Sequence, residues 1–259
     1  MHTTFVVLPD SNTPLPDRLK DLKYSYFKDC LGALDGTHIS AYIPIVDQDR
    51  FRNRKGTLSQ NVLAVCNFDL IFVYLLPGWE GSAHDGRVLQ DAQFRHGFNT
   101  PRGKFWLGDA GYGNSEFVLS PYRKVRYHLK EQRLAESKPQ NARELFNLRH
   151  ASLRNVIERI FGVLKRKFKI LSQGAEYSWD TQVKLVLSLT GLFNFIRSFE
   201  TIDDDEEEEG EEGGEEEEEG EEELLSMSLR TGNQYMNQKR DQIAQEMWVD
   251  YQKYLAYKV

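Results

Sequence analysis

The stretch "GALDGTHISAYIP", residues 32–44, decides how the rest of the chain is read. It has the apolar character of a buried β-strand, yet Asp35 stands in its middle. Taken as a strand, alternation puts Leu31, Ala33, Asp35 and Ile39 on one face and Leu34, Gly36 and His38 on the other. Asp35 therefore points where a core residue would, and an ionised carboxylate in low dielectric is costly unless something meets its charge. Two readings are open: a strand-end aspartate hydrogen-bonding a loop, or a carboxylate facing a cation.

Working outward, "QNVLAVCNFDLIFVYLLPGW" (60–79) reads as two further strands around a turn at Asn67 to Asp69. "SAHDGRVLQDAQF" (82–94) has helical spacing, with Val88, Leu89 and Ala92 on one face, and "KFWLGDAGYGN" (104–114) is a short apolar strand running into a glycine-rich loop. From Asn141 to about Phe168 the apolar residues keep the period of an α-helix, and a second helical stretch runs from about 179 to 199. Strand, hairpin, helix, strand and long helix form a mixed α/β order, which predicts a central sheet covered by helices over residues 29–200. Residues 1–28, with three prolines, read as an irregular lead-in. Residues 201–223 read as an acidic, disordered linker, too polar to bury a core. Residues 224–259 read as an amphipathic helix with Ile243, Met247, Trp248, Tyr251 and Leu255 on one face, docking on its own body or on a partner.

The 259 residues, 40% hydrophobic and 12% aromatic, suffice for one full domain with appendages. Two cysteines, Cys30 and Cys66, without a Cys-x-x-Cys pair or a histidine cluster, argue against a disulfide framework or a zinc site and for a reducing compartment. No apolar run suggests a signal peptide or reaches membrane-spanning length. The net charge of −7 hides an uneven distribution. Residues 203–223 hold 17 of the 40 acidic residues, so the remainder sets 33 basic against 23 acidic, a surplus of +10 that suits a polyanion partner.

Asp109, in "FWLGDAGYG", repeats the situation of Asp35: it shares a face with Phe105 and Leu107 at a strand end, before glycines that permit close approach. Glu158, in "RNVIERIFGVLKRKFK", sits at the edge of the apolar stripe of the long helix, with a salt bridge to Arg154 as the alternative. Mg²⁺ and Mn²⁺ take carboxylate oxygens, and two such ions can activate a water and stabilise the leaving oxygen in phosphodiester cleavage. Two strand-end aspartates and a helix glutamate are the ligands that chemistry needs.

Four blocks, "YFKDCLGALDGTHI", "GWEGSAHDGRVL", "FWLGDAGY" and "RNVIERIFGVLKRKFKIL", follow one another between residues 26 and 171, within a region of resemblance that spans about residues 24–198. In that order they resemble the DDE endonuclease domain of Harbinger-type (PIF/Harbinger) transposases and their domesticated nuclease relatives. The resemblance implies a ribonuclease H-like mixed sheet flanked by helices, and a metal-binding catalytic triad of Asp35, Asp109 and Glu158. It also implies that Asp85 falls where relatives carry a further acidic residue at the metal site. From the residues alone, Asp85 reads as part of a capping box with Ser82 at the N-cap, and the resemblance sets the metal reading level with it. His38 and His84 read as structural or hydrogen-bonding histidines.

Arg143, Arg149, Arg154, Arg159, Lys165, Arg166, Lys167 and Lys169 on the long helix, with Arg123, Lys124 and Arg126 before it, suggest phosphate contact. "RFRNRKG" (50–56) is either a phosphate-binding loop or a solvated turn, and "KRKFK" a short nuclear-localisation match. The expected activity is a divalent-metal-dependent DNA endonuclease, with strand transfer added in a complete transposase. The competing function is a domesticated, non-catalytic DNA- or protein-binding factor that keeps the fold. Relatives carry a helix-turn-helix-like segment ahead of the first block, so sequence-specific recognition is expected from a separate DNA-binding partner. The expected location is the nucleus, with the cytoplasm as a second compartment.

Overall fold

The computed structural model describes residues 2–125, 138–199 and 229–257; the acidic tract and Arg126 lie outside the described residues. Five strands, β1 (Cys30–Ser40), β2 (Ser59–Cys66), β3 (Phe72–Glu80), β4 (Phe105–Leu107) and β5 (Val118–Leu119), form one sheet in the order β3-β2-β1-β4-β5. β2 and β3 pair antiparallel, whereas β1 with β4 and β4 with β5 pair parallel. The helices are α1 (His2–Phe5), α2 (Gln48–Phe51), α3 (Asp85–Arg95), α4 (Ala142–Lys167), α5 (Ile170–Gln173), α6 (Trp179–Arg197) and α7 (Leu229–Tyr257). This is the mixed, helix-flanked sheet expected of the α/β class.

The chain divides into two compact units that interleave in sequence. The first takes in Met1–Asp10, Leu34–Thr100 and Val156–Glu212. Its β2–β3 hairpin is set by Asn67, whose Oδ1 accepts the backbone N–H groups of Asp69 and Ile71 at 3.0 and 3.1 Å. Phe72 packs its ring against Phe161 of α4 and Phe193 of α6, with centroids 6.2 and 5.6 Å apart. Two buried amides tie α6 down. Asn194 bridges both backbone groups of Phe72 and the Phe5 carbonyl, and Gln182 does the same for both backbone groups of Tyr42, each bond 2.7–3.0 Å.

The second unit takes in Ser11–Ala33, Pro101–Asn155 and Gly213–Val259. The lead-in is more ordered than its prolines suggest: 3₁₀ turns at Asp17–Lys20 and Ser25–Phe27 bury Leu19, Tyr24 and Phe27. Phe27 meets Phe146 of α4, and the Tyr24 hydroxyl lies 2.7 Å from Ser152 Oγ. α7 docks on its own chain, burying Met236, Ile243, Ala244 and Met247. Tyr122 Oη donates to Asp241 at 2.6 Å, Tyr26 Oη to Asp250 at 2.7 Å, and Lys239 Nζ to Asp29 at 3.0 Å. His150, fully buried in α4, sits 2.9 Å from the Leu119 carbonyl, and burial pulls its pKa down to about 3. Both cysteines are free and buried, and burial pushes the Cys30 thiol up to about 12.

Candidate active site

Gly36 is flanked by two of the candidate carboxylates, one on each face of β1. Its N–H donates to Asp35 Oδ1 at 2.8 Å, so the half-buried Asp35 turns back toward the next peptide unit. A Cβ built on Gly36 would fall 2.3 Å from Asp85 Oδ1, so the Asp85 carboxylate occupies the space where a side chain would stand. Only glycine permits that approach. Because successive strand residues point to opposite faces, Asp85 stands over the Gly36–His38 face of β1, whereas Asp35 leaves from the Thr37–Ile39 face. His38 is exposed, with Nδ1 3.0 Å from Ser59 Oγ, and faces away from Asp35 as the strand reading expected.

The face of Asp35 is covered by α4. Lys165 Nζ reaches Thr37 Oγ1 at 2.8 Å. Glu158 precedes Lys165 by about two helical turns and so rises from the same side of α4, half-buried. The predicted apolar stripe is seen: Leu145, Phe146, Leu153, Val156, Ile157, Ile160, Phe161 and Leu164 are all buried.

Asp85 is the first residue of α3, not the third member of a capping box. The N-cap position is His84, with no side-chain cap, and Ser82 Oγ instead donates to the Arg50 carbonyl at 2.8 Å. Asp85 is held from β2, where Asn61 Nδ2 donates to its Oδ1 at 2.7 Å and to the Ala83 carbonyl at 3.0 Å. Asn61 is 2% exposed, and its Oδ1 is buried without a hydrogen-bond partner. The motif "RFRNRKG" closes on itself through Asn53, whose Oδ1 accepts the N–H groups of Lys55 and Thr57 at 3.0 Å, leaving Arg52, Arg54 and Lys55 exposed.

Asp109, in the second unit, follows β4 by two residues and is half-buried. Its Oδ1 accepts the N–H groups of Gly111 and Tyr112 at 2.9 and 3.2 Å, an arrangement that orders the glycine-rich loop and leaves Oδ2 out of the turn. Arg123 donates twice to the Ala110 carbonyl, at 3.0 and 3.1 Å, and so clamps that loop. Among the described residues, no three or more His, Cys, Asp or Glu side chains are gathered as a metal site. Nor is any helix of the described residues long and apolar enough to cross a membrane.

Residues 34–194 match a family described as DDE superfamily endonuclease. The chain belongs to this family. It is similar to the human protein named "Putative nuclease HARBI1", 29% identical over 168 residues, which covers 63% of this chain and 45% of the relative. The rat protein of the same name is 28% identical over 169 residues, with the same coverage. "Protein ALP1-like" of Arabidopsis thaliana is 25% identical over 179 residues, covering 61% of this chain and 41% of that protein. The chain thus spans less than half the length of the curated relatives it matches. No solved structure matches it. The Harbinger-type recognition carried by the four sequence blocks stands with these relatives.

Asp35, Asp85 and Glu158 in the first unit, and Asp109 in the second, are each half-buried carboxylates, the donor type that hard divalent cations take. Asn61 orients Asp85 through a neutral amide, which leaves the carboxylate charge intact, and the unpartnered Asn61 Oδ1 adds a buried acceptor beside it. Sequence reasoning passed over Asn61 and Gly36. Their only local signal is a polar residue opening an apolar strand, "QNVLAVC", and a glycine inside another.

Proposed function

We propose that this DDE endonuclease domain is a divalent-metal-dependent DNA endonuclease. The observation that carries the reading is the half-buried Asp85 carboxylate packed against Gly36, the residue next to Asp35 in β1, and held there by Asn61. On the family resemblance, Asp35, Asp85, Asp109 and Glu158 would hold Mg²⁺ or Mn²⁺. A bound divalent cation supplies Lewis acidity, lowering the pKa of water and polarising a phosphoryl oxygen.

The chain's own residues then have separable tasks. Asp35 and Glu158 contribute negative charge from the α4-covered face of β1, and Lys165 places a cation on that face at Thr37. Asn61 fixes the rotamer of Asp85. The exposed Arg52, Arg54 and Lys55, with Arg166, Lys167 and Lys169 at the end of α4, supply positive charge for a phosphodiester backbone. We take DNA as the substrate, the nucleus as the compartment, and a separate protein as the source of sequence-specific binding.

The test is cleavage of supercoiled plasmid by purified full-length chain with Mg²⁺, with Mn²⁺ and with chelator. Asp35→Asn, Asp109→Asn and Glu158→Gln should each abolish metal-dependent nicking, because they preserve shape and remove the charge that holds the cation. Wild-type rates in any of these variants would place the site elsewhere. DNA binding without cleavage in the wild type would leave the non-catalytic, domesticated factor as the function.

A further inference from the structure

We propose that a cavity beside the N-terminus of α3 is a subsite for a single unstacked nucleobase of the bound strand. The inference rests on the nuclease reading for its choice of ligand and on separate observations for its location. The cavity, about 340 Å³, lies wholly within the first unit and is lined by Trp79, Glu80, Ser82, His84 and Arg87, among others. That volume is near the lower end for small-ligand pockets, so it admits one base and its sugar but not a stretch of duplex.

Its walls differ in chemistry. Trp79 is a half-buried indole, and the Arg87 guanidinium carbon lies 5.9 Å from its ring centroid. A nucleobase has a flat π-face that stacks on an aromatic side chain whatever its sequence, and an arginine beside the ring adds a charge for the attached phosphate. His84 and Arg87 are exposed at the mouth. Glu80, the one acidic side chain among these walls, is paired with Arg50 at 3.0 Å, so its charge does not stand alone against a phosphate.

The surroundings favour a polyanion that continues beyond the cavity. Ser82 is pinned to the Arg50 carbonyl through both its N–H and its hydroxyl, at 3.2 and 2.8 Å. The exposed cations of the 50–56 loop are thereby fixed at the same corner. The cavity is also joined to the candidate metal ligand. Trp79 is the strand partner of Asn61, and cross-strand partners share a sheet face, so Asn61 supports Asp85 from beside Trp79. A base lodged on Trp79 would hold its strand in register beside Asp85.

The experiment measures binding by full-length protein in chelator, where no cleavage occurs. It uses a short oligonucleotide carrying 2-aminopurine, offered single-stranded and as a blunt duplex, to the wild type, Trp79→Phe, Trp79→Ala and Arg87→Ala. Wild type and Trp79→Phe should bind the single strand more tightly than the duplex and quench the probe by stacking. Trp79→Ala should lose the quenching and about tenfold in single-strand affinity, with duplex affinity unchanged. Arg87→Ala should keep the quenching and lower the salt slope by about one. Unchanged quenching in Trp79→Ala, or an equal loss for both DNA forms, overturns the subsite. Should Trp79→Ala fail to fold, the wild type and Trp79→Phe decide: equal affinity for the two DNA forms, or no quenching, is equally fatal. Plasmid nicking by the same preparations separates the two proposals, since quenching without cleavage keeps the subsite and removes the nuclease, and cleavage without quenching does the reverse.

Discussion

Asn61 donates from Nδ2 to Asp85 Oδ1 at 2.7 Å, reaching from β2 to the first residue of α3. The same nitrogen satisfies the Ala83 carbonyl, so one buried amide fixes both the loop before α3 and the carboxylate that begins it. Asn61→Leu keeps the volume and removes both bonds. Leaving part-buried acceptors without that donor costs about 1–3 kcal/mol, readable as a lower urea midpoint. Asp85→Asn is the complementary variant. It removes a ligand charge, so nicking should fall by at least tenfold while stability falls by only about 1 kcal/mol. Full nicking activity in Asp85→Asn would reduce Asp85 to an anchor for α3.

Gly36→Ala tests the same corner from β1. The added methyl would sit 2.3 Å from Asp85 Oδ1, well inside contact distance, so the carboxylate must move. Overpacking of this kind costs about 1–3 kcal/mol. The double variant Gly36→Ala, Asp85→Ala should recover most of that loss, because the group that clashes is gone, yet remain inactive in nicking. Thermal melts of the two single variants and the double variant form a cycle that measures the contact directly. Additive losses would mean that Gly36 and Asp85 do not touch in solution.

Much of the architecture is legible in the sequence because its signals are local. α4 keeps its apolar period from Leu145 to Leu164, and Asn67 announces the hairpin with a side chain that bonds its own turn. The acidic positions also stand out locally, since Asp35 interrupts an apolar strand and Asp109 follows one. What holds Asp85 is not local. Asn61 is 24 residues from Asp85 and on another element, and no spacing rule links them. The capping box at Ser82 fits every local rule and fails because Arg50, 32 residues away, takes the serine hydroxyl. Docking of α7 is equally hidden: its amphipathic face is readable, but Tyr26, which bonds Asp250, lies 224 residues away.

His150 gives the second unit a measurable pH dependence. Burial lowers its pKa to about 3, the Leu119 carbonyl opposes that shift, and the charges of Arg154 and Arg240 reinforce it. A histidine whose folded pKa is depressed contributes stability fully above its unfolded value, near 6.5, and loses it as pH falls toward the folded value. Between pH 7 and pH 5 the wild type should therefore lose about 2 kcal/mol through this group. His150→Gln retains a donor for the Leu119 carbonyl and cannot titrate, so its unfolding free energy should change less over the same interval. Parallel pH slopes for the two proteins in urea titrations would show that His150 is not the group responsible.

The acidic tract, residues 203–223, opposes the rest of the chain in charge. Its 17 acids belong to a chain whose residues 1–202 hold 28 basic and 20 acidic residues, a surplus of +8. Covalent attachment gives the tract a high effective concentration at basic surfaces, where it competes with DNA phosphates for the same lysines and arginines. Ending the chain near Ile202 would be a poor test, because it also removes α7, whose Met236, Ile243 and Met247 are buried in the second unit. Replacing the tract's glutamates by glutamine and its aspartates by asparagine keeps length and removes charge. At low salt the neutralised protein should bind DNA more tightly than the wild type, and the difference should shrink as salt screens both competitors. Equal affinities across the salt titration would assign the tract to solubility or to another partner.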